Sequence, residues 1–138
     1  MNRVSFILSR MFVVVFLMGS IAPSLLAAHR VDRTTERARR AVEQASPDDW
    51  HTLAESAERC ISKGVNLKEA ATWLDQSLAI KETAYNLQVQ GDYYVKNQLP
   101  DRALESYSKS IRVGRIDDPS YTDAATQAKI VKLIQQKG

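Results

Sequence analysis

His51 and Glu55 stand four residues apart, one helical turn, and side chains so placed can share a metal ion. A metal site needs further ligands. The only other histidine is His29, and Cys60 is the only cysteine. Nothing completes the set, so the pair reads as a solvated helix face. Asp48, Asp49, Glu55 and Glu58 crowd the same stretch, but acids there suit a helix start and its surface. Tyr93 and Tyr94 form a possible aromatic platform, although Tyr94 falls on the core stripe of its helix. The five glycines are scattered and build no phosphate-cradling loop. Catalysis needs a nucleophile, a tuned base or a metal with convergent geometry, and none of these is written here. The expectation is therefore no enzyme, no metal and no cofactor. Cys60 is expected to be a small buried hydrophobe on a helix.

The elements that must position these residues read as helices almost throughout. No strand-like alternation of useful length occurs. Residues 32–45 place Ala38, Ala41, Val42 and Ala45 on one face and arginines opposite. Ser46-Pro47-Asp48-Asp49 reads as a helix start, with Ser46 as N-cap. The helix to about Lys63 carries Trp50, Leu53, Ala54, Ala57 and Ile61 on one side, and Gly64 supplies a left-handed stop. Asn66 and Glu69 suggest a capping box for the next helix. Its apolar residues, Leu67, Ala70, Ala71, Leu74 and Leu78, are joined on a second side by Trp73 and Ile80. The junction Lys81-Glu82-Thr83 is poorly punctuated. Helices are expected over 84–97 and 100–113, with Pro100 opening the second and Gly114 stopping it. Asp118-Pro119 opens a last helix whose inner face is Tyr121, Ala124, Ala125, Ala128, Val131 and Ile134, and whose outer side is polar.

Two of these hairpins repeat each other at an offset of 33 residues. Ala70, Leu74, Ser77, Leu78 and Ile80 are echoed by Ala103, Tyr107, Ser110, Ile111 and Val113, and Lys63 by Lys96. Small residues allow two helices to cross closely, and large ones fill the grooves between them. A single hairpin cannot bury its apolar face alone, which is why such units come as stacked copies. The rival is a plain antiparallel bundle. Gly91, Tyr94, Ala103, Tyr107 and Ser110, with the run "ALESYSKSI", resemble the tetratricopeptide repeat between Pro47 and about Val113. The first copy departs more: Trp50, Leu53 and Ala54 stand in family-like order, extra residues are needed before Ala70, and Glu58 stands where Gly91 stands in the second. The stretch is also similar to the helical tail of small secreted bacterial proteins. The resemblance implies an all-α fold, a right-handed stack of helix-turn-helix hairpins with a capping helix.

The chain of 138 residues is expected to hold a segment 1–28, a leading arginine-rich helix 29–46, two hairpins over 47–115 and a capping helix over 116–138. Residues 1–28 carry Arg3 and Arg10, no acid, and an apolar core ending in small residues, the pattern of a secretory signal. His29 stands where a lipidated cysteine would be. An uncleaved anchor is the alternative, barely long enough over Met11–Ala28 to span a bilayer, and a mitochondrial presequence is a third. The arginines after it, Arg30, Arg33, Arg37, Arg39 and Arg40, favour the cytoplasmic side in the anchored case. Removing residues 1–28 leaves 17 of the 19 basic residues against all 16 acids, a net charge of +1. The high pI of the whole chain is then no sign of nucleic-acid binding.

The expected function is non-catalytic binding of a protein or peptide in the cell envelope, periplasmic or secreted. A membrane-anchored subunit that recruits a complex through its repeats is the alternative, and a homodimer through a terminal hairpin is possible. The resemblance implies a groove lined by the first helix of each hairpin. Carried over, it offers Thr52, Glu55, Arg59 and Ser62 from the first copy, and Tyr85, Gln88, Asp92 and Val95 from the second. Gln88 and Asp92 stand at the positions to check for the Lys/Asn carboxylate clamp of the chaperone-tail binders, so that ligand class is not expected. Replacing Gln88 and Asp92 by Ala is expected to weaken partner capture without lowering the melting temperature.

Overall fold

Three helices begin with the same device, and it sets the architecture. Asp49 accepts hydrogen bonds from the Thr52 N–H (2.9 Å) and hydroxyl (2.7 Å). Asp123 does the same for Thr126, at 3.0 and 2.8 Å. Thr83 caps Asn86, whose side chain bonds back to the Thr83 N–H at 2.8 Å, a reciprocal box. In the computed structural model, which describes residues 32–137, these caps open the second, fourth and sixth of six helices. They are α1 Arg33–Gln44, α2 Trp50–Lys63, α3 Leu67–Ile80, α4 Ala84–Lys96, α5 Pro100–Asp117 and α6 Ala124–Lys137. The fold is all-α, with no strand among the described residues. The expectations placed on residues 1–28, a signal or an anchor, lie outside the described residues. No described helix is long and apolar enough to cross a membrane.

The helices pair as α2–α3 and α4–α5 hairpins. The hairpins meet through α2 on α4 and α3 on α4, with α1 against α2 and α6 against α5. Ala38, Ala57, Cys60, Ala70 and Leu74 form the centre of one core cluster, and Ala103, Tyr107 and Leu133 that of the other. Cys60 is fully buried, and burial raises its thiol pKa.

Several local expectations are corrected. The α2 cap is Asp49, not Ser46. The last helix starts after Asp123, because Asp118 instead closes a turn on the Ser120 N–H (2.9 Å) and hydroxyl (2.7 Å). Gly114 does not stop α5, which continues to Asp117. Its role is closeness: a Cβ there would lie 2.4 Å from ring carbons of Tyr121. Gly64 is the left-handed stop, at φ 69°. Asn66 forms no side-chain bond to the α3 backbone. It is itself left-handed, φ 49°, and its amide donates to Glu69 at 2.9 Å.

Asn66 also explains the irregular first copy. Gly64 and Gln98 are both left-handed and stand 34 residues apart. The turn bonds Val65 N–H to Cys60 C=O (3.0 Å) and Leu99 N–H to Tyr94 C=O (2.9 Å) keep that offset. Asn66 is then the one added residue, after which Ala70 and Ala103 return to 33. The counterpart of Gly91 is therefore the fully buried Ala57, not Glu58. Both copies keep a small residue at the crossing.

The face of α6 also differs from the expectation. Thr126 (1 % exposed), Ile130 and Leu133 (7 %) turn inward, while Val131 (52 %) and Ile134 (57 %) stay outside with Ala124, Ala125 and Ala128. Its outer side is thus mixed, with Val131 and Ile134 exposed beside Gln127, Lys132 and Gln135. The cap at Asp123, bound also by Gln88 from α4, fixes that rotation.

Candidate functional site: a groove across three helices

Asp92 on α4 is the hub that joins α4 to α5 and α6. Its carboxylate accepts from the Tyr107 hydroxyl at 2.6 Å and from Lys129 at 2.7 and 2.9 Å. Lys129 also lies 5.4 Å over the Tyr107 ring. Burial, then the Asp92 charge, pushes the Tyr107 hydroxyl well above its usual range, so it stays a donor. The trio ties α4, α5 and α6 together.

Two depressions adjoin at Asp92 and Val95. One, about 170 Å³, runs toward α2 and is lined by Glu58, Ile61, Ser62 and Lys96. The other, about 230 Å³, runs toward α6 and takes Lys129, Lys132, Leu133 and Gln136, with Tyr107 at its base. The two share Asp92 and Val95 in their walls, and between them they touch α2, α4, α5 and α6; they are called the groove below. Val95, 43 % exposed, stands where they meet.

Of the eight residues implied by the repeat resemblance, Ser62, Asp92 and Val95 line this groove. The other five do not. Thr52 is engaged by its cap, Asp49, whose carboxyl is held below the usual range by the Thr52 bonds. Glu55 pairs with Arg59 at 2.6 Å along the helix surface. Tyr85 donates to Glu58 at 2.6 Å, with its ring stacked on His51 at 5.4 Å. Burial, then Glu58, raises the Tyr85 hydroxyl. Gln88 donates to Asp123 at 2.5 Å and to the Tyr121 hydroxyl at 3.1 Å, bracing α6. Burial works against the charge on Asp123, but the Thr126 N–H and hydroxyl outweigh it and lower its pKa.

Glu58, Lys96, Lys129, Lys132, Leu133 and Gln136 were not foreseen. A signal for the α6 residues did exist: Asp123-x-x-Thr126 repeats Asp49-x-x-Thr52 and marks α6 as a third helix of the α2 and α4 kind. His51 and Glu55, the one-turn pair, are separately engaged by Tyr85 and Arg59. Among the described residues no cluster of His, Cys, Asp or Glu suits a metal ion.

A larger depression, about 460 Å³, lies between the end of α1 and the end of α3, with Val42, Leu53, Ala79 and Ile80 in its wall. No ionisable side chain lines it, so it offers a ligand shape without charge. The groove offers both. Set against family models, curated proteins and solved structures, the chain matches none of them.

Proposed function

We propose that this chain is a non-catalytic, tetratricopeptide-like binding module that holds an extended protein segment in the α2–α4–α6 groove. The observation that carries the reading is the pair of depressions joined at Val95, with an exposed apolar centre between polar ends. An extended segment lying across the helices meets all three of them, and polar flanks can hold its backbone. A place in the cell envelope follows from the signal-like character of residues 1–28 and belongs to the same proposal. So does the assignment of the two hairpins to right-handed stacking.

The variant that tests it is not the one the sequence suggests. Asp92→Ala strands the buried Tyr107 hydroxyl and frees Lys129, and costs about 1–3 kcal/mol of stability. Gln88→Ala loosens α6. Both confuse binding with folding. Val95→Glu changes an exposed side chain at the groove centre and leaves the melting temperature within a degree or so. Capture of partners from extracts of the protein's own host is expected to be lost in Val95→Glu. Undiminished capture sinks the groove assignment.

A second reading, self-association through α6, draws on the exposed Val131 and Ile134 with Ile116, which is 79 % exposed. A monomer at high concentration in sedimentation removes it.

A further inference from the structure

The charges of the groove do not cancel toward a ligand. Both acids are hydrogen-bonded inside the protein, but only Asp92 is neutralised, by Lys129, since the Tyr85 hydroxyl on Glu58 carries no charge. Glu58 accepts from the Tyr85 hydroxyl at 2.6 Å, and Asp92 holds Tyr107 and Lys129. Lys129 is consumed by the same pair, at 2.7 Å. Two groove lysines are left, Lys96 and Lys132, both exposed, and neither forms an ion pair or hydrogen bond among the described residues. With Asp92 and Lys129 cancelling each other, Lys96 and Lys132 stand against Glu58 alone, which leaves the lining a net charge of +1. The positive charge is also ordered: Lys96 on the α2 side, where its ammonium lies 3.9 Å from the place a Cβ on Gly64 would take, then Val95, then Lys132 on the α6 side.

We infer that the groove recognises an extended segment of the pattern acid-x-apolar-x-acid, with the apolar side chain over Val95 and the two carboxylates on Lys96 and Lys132. The inference rests on the groove reading above and names the chemistry of its ligand. The spacing follows from chain geometry. An extended strand presents every second side chain on one side, about 7 Å apart. Val95 and Lys96 both stand on α4 and Lys132 on α6, and lysine stems are long and flexible enough to bring an ammonium group to either side of Val95. Acids two positions either side of an apolar residue then reach both lysines at once. A nucleic acid fits less well, because the groove carries no arginine and no exposed aromatic ring for a base to stack on.

The test is fluorescence anisotropy with labelled peptides, acetylated and amidated so that only side chains carry charge. The probes hold the cores Glu-Ser-Leu-Ser-Glu, Gln-Ser-Leu-Ser-Gln and Lys-Ser-Leu-Ser-Lys, with a short oligo-dT alongside. The acidic peptide is expected to bind the wild type best, and more weakly as salt rises. Lys96→Glu with Lys132→Glu is expected to weaken it by about tenfold or more and to bind the basic peptide instead. If the neutral peptide binds as well as the acidic one, and Val95→Glu abolishes both, the groove stands and the acidic preference is overturned. Tighter binding of oligo-dT, lost in the double lysine variant, overturns it in favour of nucleic acid. If no peptide of any charge binds, the acidic preference and the groove reading fall together.

Discussion

Gly91 has no room for a side chain. A Cβ there would stand 2.2 Å from a ring carbon of Tyr107, and that ring is 1 % exposed with its hydroxyl fixed on Asp92. The ring has nowhere to go. Gly91→Ala gains about 1 kcal/mol of helix propensity and loses more to overpacking, for a net destabilisation of about 2 kcal/mol. Gly114→Ala makes a similar clash with Tyr121, but that ring is only partly buried and can swing outward. It is expected to cost under about 1 kcal/mol. Urea unfolding of the two variants checks the contrast. At this scale the sequence was legible in residue type and illegible in contact. The small residues Ala70, Ser77, Gly91, Ala103 and Ser110 suit close crossing by type alone, and all are buried. That Asp92 faces Tyr107 and Lys129 instead of a ligand was not readable, since Lys129 comes from a helix 37 residues on.

At the scale of elements, the join between hairpins depends on one side chain. Asn86 is fully buried, and its amide donates to the Ser77 hydroxyl (3.0 Å) and the Lys81 carbonyl (2.7 Å). Ser77 in turn donates to the Trp50 carbonyl at 2.7 Å, so α4, α3 and α2 are linked in one chain of bonds. Asn86→Ala strands several of these groups and is expected to cost about 2–4 kcal/mol by the same unfolding assay. The sequence left this junction unpunctuated because its capping box closes on Asn instead of the usual Glu or Gln.

The leading helix is held differently. Arg39 on α1 grips Glu69 on α3 through two bonds of 2.7 Å. Arg39, then Asn66, hold the Glu69 carboxyl down to about 2 from its ordinary 4.5. A depressed carboxyl stabilises the fold above its unfolded pKa. That contribution is therefore complete above about pH 4.5 and is lost as the pH falls toward 2. The pair is surface-exposed and screened, so the effect is small. The difference in melting temperature between wild type and Arg39→Met is expected to be constant at neutral pH and to shrink through this window. A difference that stays constant down to pH 3 contradicts the assigned role.

For the molecule as a whole, the helical class and the paired hairpins were legible because apolar periodicity and turn residues are local signals. The rotation of α6 was not. Val131 and Ile134 look like core in the sequence, but the Asp123 cap and Gln88 turn Thr126 and Leu133 inward. The two faces predict opposite outcomes. Val131→Gln with Ile134→Gln is expected to leave stability within about 0.5 kcal/mol, while Leu133→Ala costs about 2–3 kcal/mol. The reverse order in thermal unfolding would mean that α6 packs by the other face. The lining of the proposed groove draws on two kinds of signal. Ser62, Asp92 and Val95 stand at positions that a repeat register implies, whereas Lys129, Lys132 and Leu133 lie on a helix whose polar end residues carry no such signal.

The central claim is that this groove is where a partner lies. The most direct measurement places a photo-crosslinking amino acid at Val95 or at Ile80 and irradiates the protein in its own host. Ile80 samples the larger, uncharged depression, and its side chain is 39 % exposed, close to the 43 % of Val95. A discrete crosslinked protein is expected from position 95 and none from position 80. Crosslinking from position 80 with none from position 95 would place the partner on the larger, uncharged depression instead of the groove.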